Sequence, residues 1–297
     1  MNNLKKITAI IVLYSTTDII FKCLENLKNI KIIIVDNGNN NKEIINLLKK
    51  NYIFEKYFKP KKNIGFGRAN NFALKYVKTQ YSLLIEPDVL INEDSIENLI
   101  KTMDIYQDAG VVVPRFQDIH GNIIGWLDDF EENRRITRIS FDKIIQNELS
   151  TKPITGDVCI NFSIACILLV NNKIIKKIGL FDKRYFIYWE DFELFRRLRL
   201  KRISAIKSFN SIALHMWKKS TNVNLVSQFI MDTHHHKSAY IYYNVRKNNV
   251  IFFKKILLYT FRFISYLFIF NLKKSLKNLA RIYAIYLYLK KLWRTRS

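Results

Sequence analysis

The chain has 297 residues, of which 49% are hydrophobic and 25% are charged. This content excludes disorder over most of the length, because it provides enough apolar material for a sizeable core. Three cysteines without C-x-x-C spacing argue against a disulfide scaffold or a four-cysteine zinc site, and they indicate a reduced, cytosolic protein. The formal net charge of +24 favours an anionic partner: nucleic acid, acidic lipid or a phosphorylated substrate.

The first hundred residues alternate short β-branched runs with helical patterns. Buried strands are predicted at residues 7–14, 32–35 and 82–85. Such alternation is typical of a mainly parallel sheet with helices on both faces. Two lysines before the first run resemble the start of a signal peptide, but Asp18 and Lys22 follow without a cleavage site. We therefore interpret this run as a buried first strand.

Acidic residues follow two of these strands, at the edge where ligands of parallel sheets bind. Asp36 follows the second strand, where a carboxylate can accept a hydrogen bond from a base or ribose. The sequence Asp36-Asn37-Gly38 is equally typical of a turn. Glu86 and Asp88 follow the third strand, and two carboxylates there suit Mg²⁺ or Mn²⁺ carrying substrate phosphates. A solvated strand end is the alternative for this pair.

Further candidate residues lie in the second half of the chain. Glu190 and Asp191 stand among aromatic residues near a helix start, where burial would raise a carboxylate pKa as a general base requires. Ordinary first-turn acids are the alternative. His215 ends a strand-like run and suits either a metal ligand or a structural role. Residues 116–150 are predicted as loops and short helices, and the three histidines at 234–236 as structural.

From about residue 237 the pattern is helical and basic. Residues 233–297 contain 14 Lys and Arg residues and no Asp or Glu. A basic amphipathic helix with Phe, Tyr and Leu on its apolar face binds an anionic membrane surface. The alternative is a pair of helices packed on the domain, with solvated charges. No full membrane span is predicted, because the acid-free apolar run 256–272 is short and contains Arg262.

Further motifs occur at residues 63–71 and 178–194, in addition to those at 32–37 and 85–89 and to His215 and Ser238. Read in order, these motifs resemble those of the family 2 glycosyltransferases of the GT-A fold. The resemblance is strongest to the bacterial rhamnosyltransferase-like group that builds surface polysaccharides, and it covers about residues 7–245.

The resemblance implies a role for each matched residue. Asp36, together with Asn37, is expected to bind the uracil or thymine of a nucleotide-sugar donor. Asp88 is expected to hold a divalent metal, Mg²⁺ or Mn²⁺, on the diphosphate, with Glu86 as a weaker partner and His215 as an additional contact. A loop is expected to shape the donor pocket through Asn63, Gly65, Gly67, Arg68, Asn70 and Asn71.

Asp191 is the expected general base, with Glu190 beside it. The resemblance thus implies an inverting, metal-dependent hexosyltransferase. The best donor is dTDP-rhamnose, with a UDP-hexose as the alternative. The acceptor is expected to be a saccharide, lipid-linked or of lipopolysaccharide type. Together with the basic tail, this predicts a cytoplasmic enzyme, peripheral on the inner face of the bacterial inner membrane.

The fold class expected is α/β: a Rossmann-like GT-A domain with a basic amphipathic helical tail. Residues 1–105 would form the nucleotide-sugar-binding half, 106–236 the acceptor-binding and catalytic half, and 237–297 the membrane-associating tail. A basic nucleic-acid-binding protein is the rival hypothesis, but no RNA or DNA module is recognisable and the acidic motifs would repel phosphates. A non-catalytic relative is a third hypothesis.

Overall fold

The computed structural model describes residues 3–38, 40–124, 156–216, 224–243 and 249–294. The chain divides into two compact units. The first comprises Met1–Phe181 and Asp191–Asn222, and the second comprises Asp182–Glu190 and Val223–Ser297. The three functional segments expected from the sequence stay a prediction. The stretch predicted as loops and short helices, 116–150, lies largely outside the described residues.

One sheet runs through the first unit. Its ten strands in the described part of the chain are β1 (Ile7–Leu13), β2 (Lys31–Asp36), β3 (Lys56–Phe58), β4 (Tyr81–Ile85), β5 (Val89–Ile91), β6 (Ala109–Gln117), β7 (Ile123–Ile124), β8 (Val158–Cys159), β9 (Ile167–Asn171) and β10 (Ser204–His215). Their order is β3-β2-β1-β4-β9-β6-β10-β5, with β7 paired to β6 and β8 to β10.

The sheet is parallel in its first half and mixed in its second. β3, β2, β1 and β4 are parallel neighbours, as predicted. β9 is antiparallel to both β4 and β6, and β5 is antiparallel to β10. Only Glu86, Pro87 and Asp88 separate β4 from β5. That connection is too short for the crossover that parallel neighbours need, and β5 pairs with β10 and not with β4.

Helices cover both faces of the sheet, as predicted. In the described residues they are α1 (Ile19–Glu25), α2 (Lys42–Asn51), α3 (Phe66–Leu74), α4 (Glu93–Ile105), α5 (Asn172–Ile178), α6 (Glu190–Leu200), α7 (Leu225–Tyr242), α8 (Asn249–Phe268) and α9 (Leu272–Arg294). A 3₁₀ helix, Asn3–Lys6, precedes β1. Asparagine side chains cap four helix N-termini, each accepting a backbone N–H of the first turn: Asn41, Asn92, Asn171 and Asn224.

The core consists of two hydrophobic layers separated by the sheet. β1 is buried along its whole length, because its alternate side chains point into different layers. Ile11 and Leu13 join the layer that contains α1, α2 and α4. Ile10 and Val12 join the layer that contains α3, α5 and α6. Because β1, β2 and β4 are parallel, their carboxyl ends lie at the same edge of the sheet.

The second unit is built from α7, α8 and α9. They enclose a small apolar cluster of Tyr240, Phe252, Ala284, Ile285 and Tyr288. The predicted helical tail is therefore present, and its first helix begins earlier than the sequence pattern indicates, at Leu225. None of the helices that the structure describes is both long enough and apolar enough to span a bilayer.

Candidate active site

The turn between β4 and β5 carries Glu86 and Asp88 at the sheet edge. The Val89 N–H donates to the Glu86 carbonyl at 3.1 Å, which closes the turn, and the Glu86 N–H donates to the Cys166 carbonyl at 2.8 Å. The Met216 N–H donates to the Asp88 carbonyl at 2.9 Å. The turn is thus fixed on both sides, by the residue before β9 and by the residue after β10.

His215 completes a cluster of three side chains with this turn. As the last residue of β10 it pairs with Val89 of β5. Its Nε2 lies 3.7 Å from Oδ1 of Asp88 and 4.0 Å from Oε2 of Glu86. The three ligand atoms all lie within 4.8 Å of one another. Two carboxylate oxygens and one imidazole nitrogen at this spacing fit a divalent cation.

The electrostatics of the cluster also fit a cation. Asp88 and His215 are buried, whereas the Glu86 side chain is 34% exposed. Burial is the largest effect on Glu86 and raises its pKa to about 7; His215 opposes this rise, and Asp88 and Asp191 add to it. Carboxylates that repel one another in a low-dielectric site are stabilised by positive charge. A divalent ion supplies that charge.

Asp191 lies at the start of α6, near the same turn. Its Oδ1 accepts the Phe192 N–H at 2.8 Å. Burial raises the pKa of Asp191 to about 6, although hydrogen bonds from backbone groups of Phe192, Asp191 itself and Ala165 oppose the rise. Ala165 leads into β9, which pairs with β4. Asp191 is therefore close enough to Glu86 to raise that residue's pKa.

Two buried thiols, those of Cys23 and Cys166, lie close to the turn that carries Glu86 and Asp88. Cys23 Sγ lies 3.9 Å from the Glu86 carbonyl, and burial raises the pKa of Cys23 to about 12. Burial also raises the pKa of Cys166 well above its usual value. Neither thiol belongs to the group of ligand atoms that Glu86, Asp88 and His215 form. Cys159, on β8, is exposed.

Asp36 lies at the end of β2 and is buried. Its Oδ1 accepts hydrogen bonds from the Asn40 side chain at 2.5 Å and from the Gly38 N–H at 3.2 Å. Its Oδ2 accepts from the Tyr57 hydroxyl at 2.8 Å and lies 3.2 Å from Lys59 Nζ. Burial alone would raise the pKa of Asp36, but these four donors together lower it. The carboxylate therefore stays ionised.

No sequence motif identifies Tyr57 and Lys59 as site residues. The available signal is their spacing, because residues two apart in an extended segment share a face. β3 adds Tyr57 to the sheet as the parallel neighbour of β2, with Tyr57 opposite Ile34. Long-range strand pairing thus brings both side chains to Asp36.

The loop before α3 is joined to the end of β2 by amide side chains. Asn37 Nδ2 donates to Asn63 Oδ1 at 2.9 Å, and Asn37 Oδ1 accepts the Ile64 N–H at 2.9 Å. Asn63 Oδ1 also accepts the Gly65 N–H at 2.8 Å. Gly65 has a φ of 87°, in the left-handed region that glycine adopts at low cost. Three residues expected to bind the nucleotide-sugar donor thus belong to one hydrogen-bond network: Asn37, Asn63 and Gly65.

The remaining expected pocket residues lie on α3. Asn70 is buried, and its amide donates to the Phe66 carbonyl one turn earlier at 3.1 Å. Asn71 forms two hydrogen bonds with the Phe181 backbone. Gly67 also lies against Phe181, and Arg68 is exposed. The two amides on α3 therefore bind protein groups.

Glu190 belongs to the second unit and is buried. It follows Tyr188 and Trp189, which have φ values of 66° and 69°. Consecutive non-glycine residues in the left-handed region carry backbone strain. The Trp189 ring contacts the ring of His235 on α7, with centroids 5.9 Å apart. Helix α7 thus supports the strained segment that leads to Asp191 in the chain.

Comparison with known proteins identifies relatives of this chain. The family described as Glycosyl transferase family 2 matches residues 8–164, which is more than half of the chain. Rhamnosyltransferase WbbL of Escherichia coli (strain K12) is 26% identical over 223 residues, covering 68% of this chain and 81% of that protein.

Two solved structures are similar to this chain to different degrees. GalNAc-T7, solved with UDP, GalNAc and Mn²⁺, superposes with a TM-score of 0.56 and 12% identity over 78% of this chain; the match spans 48%, about half, of GalNAc-T7. The TarS 1–349 structure from S. aureus gives a TM-score of 0.48 and 14% identity, over 89% of this chain and 72% of its own. The α/β GT-A fold expected from the sequence is confirmed by the likeness to GalNAc-T7. The match over more than half of the chain shows that this protein is a glycosyltransferase and belongs to family 2.

Proposed function

We propose that this glycosyltransferase is metal-dependent and inverts the configuration of the sugar that it transfers. The observation that supports this most directly is the convergence of Asp191 with the cluster of Glu86, Asp88 and His215 at one sheet edge. A candidate base therefore lies next to a candidate metal site. That pairing serves a reaction in which a hydroxyl loses a proton while a diphosphate departs.

Asp191 acts as the general base in this proposal. It accepts the proton of the acceptor hydroxyl as that oxygen attacks the anomeric carbon of the donor. The new carbon–oxygen bond forms on the face opposite the diphosphate, and the bond to the diphosphate breaks with its electron pair leaving on the phosphate oxygen. A pKa of about 6 makes Asp191 more basic than an ordinary carboxylate and still ionised near neutral pH.

Glu86, Asp88 and His215 would hold the divalent metal, Mg²⁺ or Mn²⁺. When bound, such an ion offsets the charge of the diphosphate and so stabilises the leaving group. The donor set of two carboxylates and one imidazole suits Mn²⁺ in particular, which accepts nitrogen as well as oxygen ligands. The solved GalNAc-T7 structure contains Mn²⁺ together with UDP, which supports a metal in this fold.

The donor that we propose is dTDP-rhamnose, because WbbL is named a rhamnosyltransferase. A UDP-hexose is the second candidate. Asp36 would recognise the uracil or thymine base of either, since an ionised carboxylate accepts the hydrogen bond of a ring N–H. Its four protein donors already match the roughly four acceptor positions of a carboxylate. Lys59, whose side chain is 68% exposed, is the donor most easily displaced into water.

The donor pocket that we propose extends from Asp36 along the loop before α3. Asn37 and Asn63 fix that loop by their amide pair. Glu190 remains a proposed neighbour of the base. The other wall residues are Gly65, Gly67, Arg68, Asn70 and Asn71.

The acceptor that we propose is a lipid-linked or lipopolysaccharide-type saccharide in bacterial surface polysaccharide synthesis. The second unit supports this, because α8 exposes a stripe of apolar side chains at helical spacing: Phe253, Leu257, Phe261, Ile264 and Phe268. Because residues 233–297 contain cations and no acids, this stripe suits an anionic bilayer better than a second copy of the same basic unit. The enzyme would lie on the inner face of the bacterial inner membrane.

Donor turnover by the purified full-length chain tests the reaction. The assay offers dTDP- and UDP-sugars with Mn²⁺ or Mg²⁺, with and without a lipid-linked saccharide. We expect one donor to release its nucleoside diphosphate only with metal, and we expect Asp191→Asn to abolish the release. The matched control is Asp118→Asn, in an exposed turn. Metal-independent turnover, or full activity in Asp191→Asn, would contradict the proposal.

A further inference from the structure

The chain leaves α5 through a short segment, residues 178–181, that helices on two sides hold by their side chains. Gly179 has a φ of 82° and turns the chain out of the helix. The last carbonyls of a helix have no partner within that helix. The segment thus presents a row of acceptors at the C-terminus of α5.

Arg197 of α6 binds this row of carbonyls. Its Nη1 donates to the carbonyls of Ile178, at 2.9 Å, and Gly179, and its Nη2 donates to the Leu180 carbonyl at 2.7 Å. Its Nε and Nη2 also form a bidentate pair with Glu193, at 2.9 and 2.6 Å. All five N–H donors of the guanidinium are engaged. Lysine offers a point charge and cannot reproduce this pattern.

Asn71 of α3 holds the other end of the segment. Its Nδ2 donates to the Phe181 carbonyl at 2.7 Å, and its Oδ1 accepts the Phe181 N–H at 3.0 Å. Gly67 lets the helix come close, because a Cβ there would lie 2.8 Å from the Phe181 Cβ. One end of residues 178–181 is therefore fixed to α3 and the other to α6.

We infer that Asn71 and Arg197 are positioning residues. Through residues 178–181, they fix the position of α6, the helix that carries the general base, relative to the donor loop. Arg197 lies six residues after Asp191, about 9 Å along α6. Asn71 lies on α3, the helix that follows the loop beginning at Asn63. Neither side chain needs to touch the substrates for this role. The inference rests on the proposed function of Asp191 as the base.

A purely structural role for Arg197 predicts loss of folded protein with normal turnover of what remains. A positioning role predicts slow turnover in protein that is fully folded. The two differ in kcat measured per folded molecule, with folding checked by circular dichroism. A misplacement of about 1 Å can lower a rate by as much as 100-fold.

The test compares Arg197→Lys with Arg199→Lys in the full-length chain. Arg199 is a matched control on the same helix, where it donates one hydrogen bond to the Asn161 carbonyl at 2.6 Å. We expect Arg197→Lys to lower kcat by about 10- to 100-fold while the donor KM changes less than about twofold. Arg199→Lys should retain wild-type kcat.

A double variant tests whether the two residues act through one segment. Asn71→Ala should also lower kcat, and the combination with Arg197→Lys should cost less than the product of the two single losses, because each loss releases the same backbone. The inference is overturned if the losses in kcat of the two single variants multiply in the double variant. It is also overturned if Arg197→Lys is as active as Arg199→Lys.

Hydrogen exchange separates failure of this inference from failure of the proposed function. If the wild-type chain releases no nucleotide from any donor, the proposed reaction is contradicted. Amide exchange still reports how firmly Asn71 and Arg197 hold residues 178–181. Faster exchange at residues 178–181 and 191–196 in Arg197→Lys than in Arg199→Lys supports positioning. Equal exchange in the two variants overturns it.

Discussion

Charged residues are usually exposed and apolar residues buried, and the sheet edge and the C-terminal helices depart from this pattern in opposite ways. At the sheet edge, Asp36 and Asp88 bury carboxylates, which are stable only with donors or cations around them. On α8, Phe261 and Phe268 expose aromatic rings to 71% and 79%, at a cost in water. Buried charged side chains suit the binding of a small ionic ligand, whereas exposed apolar side chains suit contact with an extended surface. The two regions therefore point to ligands of different size.

The largest effect that we expect concerns the buried charge. Asp88→Asn should weaken Mn²⁺-dependent turnover by more than the roughly 10- to 100-fold that loss of an outer-shell metal partner costs. Glu86→Gln should cost less, because the Glu86 side chain is one-third exposed whereas the Asp88 side chain is buried. Titration of activity with Mn²⁺ measures both. Full wild-type activity in EDTA, or an Asp88→Asn variant as active as wild type at saturating Mn²⁺, would show that the cluster holds no functional metal.

The second prediction concerns the exposed apolar stripe. Replacing Phe253, Phe261 and Phe268 together by Ser should reduce partition onto anionic phospholipid vesicles by at least about tenfold. The variant loses the apolar area that the bilayer would bury on binding. The matched control replaces three exposed apolar residues of the first unit by Ser: Ile53, Ile105 and Leu200. Sedimentation with vesicles measures the partition.

Two outcomes would break this part of the comparison. Unchanged vesicle binding by the triple Phe variant would show that the stripe is not a lipid surface. Binding of random RNA as tight as vesicle binding would instead favour a nucleic-acid partner for the basic residues.

The third prediction is a pH dependence from Asp191. Its pKa of about 6 is raised above the usual value by burial, so the base is ionised above pH 6 and protonated below it. We expect kcat/KM to fall on the acid side and to reach about one-tenth of its plateau at pH 5. A steady-state pH profile at saturating metal measures this. A flat profile down to pH 4.5 would exclude a group with this pKa as the base.

The smallest effects should come from the partners of Asp36. Tyr57→Phe removes a hydrogen bond to a buried carboxylate and should raise the donor KM by about tenfold, corresponding to about 1.5 kcal/mol. Lys59→Ala should change the KM by less than about fivefold, because the Lys59 side chain is exposed and water screens its interaction with Asp36. Nucleotide titration measures both. A larger effect for Lys59 would reverse the proposed ranking of the two donors.

The sequence predicts those parts of the fold that depend on local patterns. Continuous apolar runs locate the strands at 32–35 and 82–85, because a strand covered on both faces needs apolar side chains throughout. The acidic residues that follow these runs are then placed at the sheet edge by the chain itself. Asp36, Glu86 and Asp88 are found where the pattern puts them.

The sequence does not predict contacts that depend on long-range register. The distance from His215 to Asp88 follows from the antiparallel pairing of β10 with β5, and neither strand carries a signal for its partner. Arg197 is likewise indistinguishable by pattern from the other basic residues of α6. Three of its five hydrogen bonds exist only once the end of α5 packs beside it.

The three cysteines give this chain a built-in site for a single spectroscopic label. Maleimide reagents attack accessible thiolates, and the two thiols behind the acidic turn are both buried and hard to ionise. Cys159 is exposed. A fluorophore can therefore be attached there to the natural sequence, without replacing any cysteine. Since β8 pairs with β10, the strand that ends at His215, such a probe would report on the sheet without altering the acidic turn.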